Sequence, residues 1–298
     1  MRKQLKISKT LIHKILFNSI LCCLLLTSAC YENIEGCLEL EATNFDVSAD
    51  KACENCCQFP KLRLNILHRI KDPVRDTFYN FPLNAKVNPD VPPFFYVNDL
   101  RYYLSDIQLI RSDGSLLSVE DEIRVTQFNS NGDSTSVIIP NNFALINRRT
   151  PTTTSIGTLR AKGNFTGLQF KLGIPAEINQ SEPSSFPSNH PLAYRDSTMY
   201  FSRDSGYVFY RIQLFRDTSA VMPVLLKTGT NAQLRQIIVN FPFELKVGFN
   251  TILTLRVDYG EWFKQIELET DTPNDMIAKI VEGLVQSFEL ISVDYSLQ

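Results

Sequence analysis

The stretch KLRLNIL, residues 61–67, decides the fold class, because a regular hydrophobic period begins there. Its apolar side chains alternate with polar ones, so that Leu62, Leu64 and Ile66 would share one face of an extended strand. A two-residue period of this kind is typical of a β-strand that buries one face. We therefore expect a β-sheet domain to begin at Lys61.

Short runs of the same kind continue toward the C-terminus. We predict strands over residues 94–97, 100–110, 122–128, 136–139, 143–147, 157–162, 165–172, 199–201, 207–215, 236–243 and 250–257. Turn-forming residues lie between them, as at Ser112-Asp113-Gly114, Asn131-Gly132-Asp133 and Lys246-Val247-Gly248. Many short strands joined by short turns predict a mainly β fold, a β-sandwich.

One helix is predicted near the C-terminus. Thr272 can cap it, Pro273 takes the first helical position, and Asp275 places a favourable negative charge in the first turn. Apolar residues then follow at three- and four-residue spacing: Met276, Ile277, Ile280, Val281, Leu284, Val285 and Phe288. This stripe predicts a helix that packs against the sheets, so residues 61–298 are expected to form a β-sandwich with a C-terminal helix.

Residues 1–29 have the features of a secretory signal peptide. Basic residues precede an apolar run over residues 15–26. That run is shorter than the about 20 apolar residues that span a membrane. It leads into LTSAC, residues 26–30, which resembles the lipobox of bacterial lipoproteins. The resemblance implies that Cys30 is lipidated; cleavage after Ala29 that leaves Cys30 as a plain thiol is the alternative.

The segment after this site, residues 30–60, is predicted to be a tether with a Cys-rich segment. It resembles the Cys-flanked segment near the start of many lipoproteins from the Bacteroidota. An oxidising envelope predicts two disulfides, in any of three connectivities, among Cys37, Cys53, Cys56 and Cys57. A zinc site at Cys53-x-x-Cys56 is the alternative. Oxygen ligands for calcium could come from Asn44, Asp46 and Asp50, but the turn glycine and closing glutamate of an EF-hand are missing, which favours a plain spacer.

Removal of the signal would change the charge of the chain. Residues 1–29 carry five of the 30 Lys and Arg residues and none of the 32 Asp and Glu residues, so the mature chain has a net charge of about −7. A negative charge disfavours binding to nucleic acid or to an anionic membrane surface. The mature length of 269 residues suits one large β domain or two small ones.

The mature chain holds few of the groups that enzymes use. It has two histidines, His68 and His190, and no G-x-S-x-G, H-E-x-x-H or Gly-rich phosphate-binding motif. Neighbouring carboxylates, such as Glu120 and Asp121, are more typical of a solvated surface than of a glycosidase pair. We therefore predict that the protein is not an enzyme.

Three blocks of sequence carry a family pattern: FYVNDLRYYLSDIQL over residues 95–109, followed by Asp113-Gly114; GNFTGLQFKLGIP over residues 163–175, followed by Asn179; and MYFSRDSGY over residues 199–207. In order and spacing they resemble the MbnP-like family, periplasmic copper-binding proteins associated with methanobactin and their envelope relatives. The resemblance extends from about Lys61 to the C-terminus. It implies a β-sandwich and, as a cofactor, copper.

Several positions depart from the family pattern where a copper site is implied. The third family block carries tryptophan where this chain has Phe201 and Arg203, although Gly206 and Tyr207 are kept. A His-x-Gly motif of the family corresponds to Lys227-Thr228-Gly229 here. Because an ammonium group replaces an imidazole, we expect a degenerate metal site with weak or absent copper binding.

The remaining candidate metal ligands are His68, His190 and Met199. A strand histidine such as His68 is more typical of a half-buried structural residue. The segment over residues 178–196, rich in Ser and Pro, is predicted to be a long exposed loop, so that His190 would be exposed to solvent.

Two functions are consistent with these patterns. The first is a non-enzymatic lipoprotein of the cell envelope, anchored by its lipid to the outer membrane and acting with an envelope protein as partner. The alternative is a glycan- or protein-binding lipoprotein accessory to an outer-membrane uptake system, for which exposed aromatic residues at Phe94, Phe95 and Tyr96 would form the platform.

Overall fold

The structure is a computed structural model that describes residues 32–72, 74–87, 95–129, 131–150, 153–193, 198–216 and 222–297. The predicted signal peptide and Cys30 lie outside the described residues. The chain divides into two compact units: the first contains residues up to Leu38 and Asp46–Cys56, and the second contains Glu39–Phe45 and Cys57–Gln298. The predicted tether is therefore shared between the two units.

A short strand pair and a disulfide hold the first unit together. Strands β1 (Glu35–Gly36) and β2 (Lys51–Ala52) pair in parallel. Cys53 and Cys56 form a disulfide. Cys37 and Cys57 are disulfide-bonded as well, which confirms the predicted use of all four cysteines. Sulfur in a disulfide is not the thiolate that zinc requires, so the structure does not support the zinc alternative.

The carboxylates considered for calcium accept hydrogen bonds from the chain instead. The carboxylate of Asp46 accepts hydrogen bonds from the backbone N–H of Ser48 at 2.9 Å and from its hydroxyl at 2.6 Å. The carboxylate of Asp50 accepts one from the backbone N–H of Ile34 at 3.2 Å. These contacts fit the predicted spacer.

The second unit contains two main β-sheets, counted over the described residues. The larger has eight strands in antiparallel pairs, with the central order β16-β15-β6-β12-β17 and three short strands that also pair with β6. Its strands are β5 (Lys86–Val87), β6 (Phe95–Arg111), β7 (Leu116–Ser118), β10 (Ala144–Asn147), β12 (Gly163–Leu172), β15 (Tyr210–Phe215), β16 (Val224–Thr228) and β17 (Arg235–Leu245).

The smaller sheet has five strands within the described part of the chain, in the order β11-β3-β18-β19 with β4 added beside β3. They are β3 (Lys61–Lys71), β4 (Phe78–Asn80), β11 (Thr153–Thr158), β18 (Asn250–Asp258) and β19 (Phe288–Ser296). Two hairpins stand outside the sheets, β8 (Glu122–Phe128) with β9 (Ser134–Pro140), and β13 (Tyr200–Ser202) with β14 (Gly206–Tyr207). The predicted β-sandwich is confirmed.

The strands β3 and β6 show how the sequence pattern becomes a sheet. Every second residue of β3 from Leu62 to Ile70 is buried, as its alternation predicts. Strand β6 contains a bulge, where its pairing with β12 shifts in register and Asp106 has a φ of 51°. Aspartate tolerates this left-handed conformation better than most residues. Strands β10 and β15 pair with residues of β6 before the bulge, whereas β12 pairs with residues on both sides of it.

The helices are short, and the C-terminal one begins as predicted. They are α1 (Ala176–Asn179), α2 (Tyr259–Phe263) and α3 (Pro273–Gly283). Thr272 and Asp275 form a capping box at the start of α3, and the apolar stripe is buried as far as Leu284, which begins a 3₁₀ turn after the helix. In the described part of the chain, no helix is long and apolar enough to cross a membrane.

The structure corrects the predicted end of this helix. Helix α3 ends at Gly283, and Phe288 begins β19 rather than continuing the helical stripe. A side chain at Gly283 would lie 2.1 Å from the backbone oxygen of Glu261, so the packing of α2 on α3 requires glycine there. The sequence also failed to predict β16.

A second correction concerns the segment over residues 178–196, of which residues 178–193 are described. It was predicted to be a long exposed loop, yet it contains a 3₁₀ turn, Pro183–Ser185, and buries several side chains against the unit. Buried residues are Ile178, Ser181, Pro183, Phe186, His190 and Leu192. The segment is part of the fold rather than a solvated connection.

Candidate functional site

The two faces of the eight-stranded sheet have different surroundings, because successive residues of a strand point to opposite faces. Tyr102 of β6 points toward the five-stranded sheet, where its ring lies 5.2 Å from that of Trp262. Tyr103 points the other way and packs edge-on against Tyr207 of β14, with ring centroids 5.9 Å apart. We call the side that carries Tyr103 the outer face.

A cleft with two compartments lies on the outer face. The first, the aromatic compartment, has a volume of about 110 Å³ and is lined by Arg101, Tyr103, Leu145, Asn147, Pro183, Pro191, Ala193, Met199, Tyr200 and Tyr207. The second, the basic compartment, has a volume of about 350 Å³ and is lined by Asp99, Arg101, Asn147, Arg149, Arg211 and Gln213. The two share Arg101 and Asn147, so they lie next to each other on the outer face.

Strand register places the charged side chains of the cleft side by side. Arg101 of β6 lies opposite Asn147 of β10 on one side and opposite Arg211 of β15 on the other. Arg211 in turn lies opposite Lys227 of β16. Directly opposite residues share one face of a sheet, so a row of three cations crosses the outer face.

The carboxylate of Asp99 contacts two of these cations, Arg101 and Arg211. Arg101 donates from Nε to Oδ1 of Asp99 at 3.0 Å and from Nη2 to Oδ2 at 2.8 Å. Arg211 contacts the same carboxylate through Nη1. The Nε atom of Arg211 is buried and has no hydrogen-bond partner among the described residues. Burial lowers the pKa of Arg211 from its ordinary value.

The β13–β14 hairpin closes the aromatic compartment, and glycine allows it to do so. Gly206 has a φ of +72°, and a Cβ atom there would lie 2.5 Å from Asn179. Asn179 accepts a hydrogen bond from the backbone N–H of Tyr207 at 2.8 Å. Tyr207 itself is buried and donates its hydroxyl to the backbone oxygen of Leu192 at 2.9 Å. The kept motif positions Gly206 and Tyr207 therefore shape the compartment.

The motif positions that depart from the family pattern lie on the same hairpin and on β16. Nζ of Lys227 lies 5.3 Å above the ring of Phe201, which is 42% exposed. Arg203 is directed toward the β8–β9 hairpin, where its guanidinium lies 3.5 Å above the ring of Phe128. Its Nη2 also donates to the backbone oxygen of Gly132 at 2.6 Å. All three departing positions, Phe201, Arg203 and Lys227, thus take part in cation–π contacts.

His68 lies in the core between the sheets rather than in the cleft. Its Nδ1 shares a hydrogen bond of 2.6 Å with the hydroxyl of Tyr259, which lies 3.2 Å from the hydroxyl of Tyr102. Burial, together with the positive charges of Arg148 and Arg69, lowers the pKa of His68 to about 3. The imidazole is therefore neutral at physiological pH.

His190 is buried, which corrects the expectation that it is exposed. Its Nδ1 accepts a hydrogen bond from the backbone N–H of Leu192 at 3.1 Å, and its Nε2 lies 2.8 Å from Oδ1 of Asn141. The ring stacks on Phe186 with centroids 4.5 Å apart. Both ring nitrogens are thus engaged in holding the segment that follows α1.

The three candidate metal ligands are not brought together. Met199 is buried at the wall of the aromatic compartment on the outer face, whereas His68 lies with Tyr102 on the inner side of the same sheet. His190 lies beside the compartment but uses both nitrogens elsewhere. Within the described residues of the second unit, no three His, Cys, Asp or Glu side chains converge as metal ligands.

The chemistry of the aromatic compartment does not fit copper. Among the described residues that line it, Met199 is the one soft donor and none carries an imidazole or a thiol. Burial raises the pKa of the phenols of Tyr200 and Tyr207, which keeps both neutral. Arg101 adds a positive charge that repels a cation.

The predicted aromatic platform for a glycan is also not formed as expected. Phe95 is 1% exposed, and its ring lies 5.0 Å from that of Phe263 in the core. Tyr96 is half-buried, and Phe94 lies outside the described residues. Phe95 therefore serves the core rather than a platform.

The cations of the basic compartment were not predicted to form a site. Their signal in the sequence is weak: Arg101 and Arg211 occupy polar positions of alternating strands, which is ordinary for a half-exposed sheet. Their proximity depends on the pairing of β6 with β15, a contact between segments about a hundred residues apart.

Comparison with known proteins gives one family. A family model described as MbnP matches residues 60–279, a range that contains both compartments of the cleft. Among solved structures, MbnP from Methylosinus trichosporium is similar at 14% sequence identity and a TM-score of 0.37, over 70% of this chain and 78% of that chain. No curated protein matches the chain.

Proposed function

The chain belongs to the MbnP family, and we propose that it is a lipid-anchored cell-envelope protein that binds a ligand without catalysis and without a copper site. The observation that carries this proposal is the composition of the cleft. The family is associated with copper binding, yet the cleft formed by its motif blocks offers one thioether and several cations. A metal ion needs several suitable donors in fixed geometry, and Met199 alone does not meet that need.

A non-enzymatic role is supported by the state of the histidines. General acid–base catalysis needs a group that can exchange a proton with a substrate within hydrogen-bond reach. His68 is neutral and buried among core aromatic residues, and both nitrogens of His190 are engaged by the protein. The tyrosines of the aromatic compartment have raised pKa values, which makes them poor bases.

The envelope location is supported by the signal peptide and the lipobox-like sequence that ends at Cys30. Anchoring through Cys30 would leave the second unit outside the membrane. We place the protein at the outer membrane, with its cleft available to a small ligand or to an envelope protein that exchanges it.

Copper titration of the mature chain, from Cys30 onward, tests the metal part of the proposal. After incubation with Cu(I) or Cu(II) and dialysis against a chelator, metal analysis should find well below one copper per chain. A Met199→Leu variant keeps the volume of the side chain and removes its sulfur, and it should give the same result as the unmodified chain. One copper per chain that survives dialysis would overturn the proposal.

A further inference from the structure

We propose that the basic compartment binds the oxyanion of a small organic acid, a carboxylate or a phosphate ester, whose apolar part enters the aromatic compartment. This inference rests on the proposed binding role and gives its ligand a chemical class.

The basic compartment carries an excess of positive charge. Among the described residues, its lining contains three guanidinium groups, those of Arg101, Arg149 and Arg211, and one carboxylate, that of Asp99. Arg101 and Arg211 share this carboxylate, and Arg149 is exposed. Lys227 lies beside Arg211 in the same cross-strand row and adds a further positive charge to this face. Charges out of water are stable when they are paired, so Arg211, which is mostly buried and shares the carboxylate of Asp99 with Arg101, favours a bound anion.

The donors of the compartment are arranged for an oxyanion. Nε of Arg211 is buried and has no partner among the described residues, although guanidinium N–H groups normally donate when they are out of water. Arginine presents its donors in a planar fork that matches a carboxylate or a phosphate. Gln213 and Asn147 line the same wall and contribute side-chain amides.

These groups are held by strands rather than by flexible loops. Arg101, Arg211 and Gln213 belong to paired residues of β6 and β15, and Asn147 belongs to β10. Arg101 and Arg211 are further fixed by their contacts with Asp99. A site whose donors are already positioned loses less conformational entropy when a ligand binds.

The size and the neighbourhood of the compartment select a small organic ligand. A volume of about 350 Å³ lies at the lower end of the range for small-molecule sites. The net negative charge of the mature chain disfavours a polyanion such as a nucleic acid. The adjoining aromatic compartment, lined by Tyr103, Tyr207 and Met199, shares Arg101 with the basic one and can receive an apolar group.

Isothermal titration of the mature chain with four named probes tests the proposal. Phenyl phosphate and benzoate combine an oxyanion with a ring, and inorganic phosphate and acetate lack the ring. We expect the ring-bearing anions to bind at least about tenfold more tightly than their counterparts, because only they fill both compartments. Tighter binding of phenyl phosphate would identify the ligand as a phosphate ester, and tighter binding of benzoate would identify it as a carboxylate.

Variants connect the binding to the cations. Arg211→Gln and Arg149→Gln should each weaken binding of the preferred probe by about tenfold or more, the loss expected for a charge-assisted hydrogen bond. Arg149 is exposed, so its variant should fold even where Arg211→Gln does not. Arg124→Gln removes the same charge from an exposed residue that lines neither compartment, and it should bind as the unmodified chain does.

Three results would overturn the proposal: no binding of any probe at millimolar concentration, equal affinity for anions with and without the ring, or equal weakening by Arg124→Gln and Arg149→Gln. The copper titration is independent of these measurements. If no probe anion binds and no copper binds, the ligand class is wrong but the proposal of a protein without a copper site still stands. Tight copper binding would contradict the proposed function itself.

Discussion

The hydroxyl of Tyr259 and Nδ1 of His68 share a hydrogen bond of 2.6 Å in the core between the two sheets. The other nitrogen of His68, Nε2, is buried without a hydrogen-bond partner among the described residues. Protonation would place a positive charge in this apolar environment, close to Arg148 and Arg69. The neutral imidazole is therefore the form that the folded protein stabilises.

This arrangement predicts that stability depends on pH through His68. The pKa is lowered from 6.5 to about 3 in the folded protein, so the unfolded chain binds more protons between these values. The contribution of His68 to the free energy of unfolding is fully present above the pKa of the unfolded chain and is lost as the pH falls toward the folded pKa. Between pH 7 and pH 5 this loss should be about 2 kcal/mol. Urea unfolding at both pH values should show this loss in the unmodified chain and a smaller one in His68→Leu. An unchanged loss in the variant would place its source elsewhere.

A second prediction concerns the closure of the cleft by the β13–β14 hairpin. Gly206→Ala places a methyl group in a left-handed conformation and 2.5 Å from Asn179. Gly114 is a matched control, because its φ of +82° is similar but open space surrounds it. Gly114→Ala should cost about 1 kcal/mol of unfolding free energy, and Gly206→Ala about 1–3 kcal/mol more. Equal costs by urea unfolding would show that the hairpin can shift away from Asn179.

The proposed lipid attachment at Cys30 gives a third prediction. Cys30→Ala should move the full-length protein from the membrane fraction to the soluble fraction, because a lipobox without its cysteine cannot be acylated. The double variant Cys53→Ala with Cys56→Ala loses a disulfide but keeps Cys30, and it should remain with the membrane. If Cys30→Ala stays membrane-bound after a salt wash, another part of the chain holds it there.

The disulfides give a fourth prediction. Mass analysis of the non-reduced mature protein after treatment with an alkylating reagent should find no modified thiol at Cys37, Cys53, Cys56 or Cys57, since all four are disulfide-bonded. Reduction before alkylation should label all of them. Two labelled thiols in freshly exported, non-reduced protein would contradict the assignment.

The sequence predicted those elements that are specified by residues close to one another in the chain. The alternation in β3 and the capping residues of α3 each specify an element within a dozen residues, and both are confirmed. Strand β19 was missed because Phe288 falls on the helical spacing that begins at Met276. Its strand conformation depends on pairing with β18, which no local pattern reveals.

The cleft could not be predicted for the same reason. Residues 178–193 resemble an exposed loop in composition, yet His190 and Phe186 are buried because the segment packs against the end of the β8–β9 hairpin and Phe143. Arg101 and Arg211 meet only through the register of β6 with β15. The family blocks predicted the part of the chain that forms the cleft. They did not predict its charges, because these come together only through the pairing of the strands.

The parallel pairing of β3 with β18 brings the first strand of the second unit next to one of its last. Lys61 donates its backbone N–H to the side chain of Asn250 at 2.7 Å, across 189 residues of sequence. Contacts of such long range slow folding, because the loop between them must close before they form. In the proposed export, β3 would leave the cytoplasm early, with β4 and β11 following it and β18 arriving almost last. The five-stranded sheet therefore cannot be completed until almost the whole chain has been delivered.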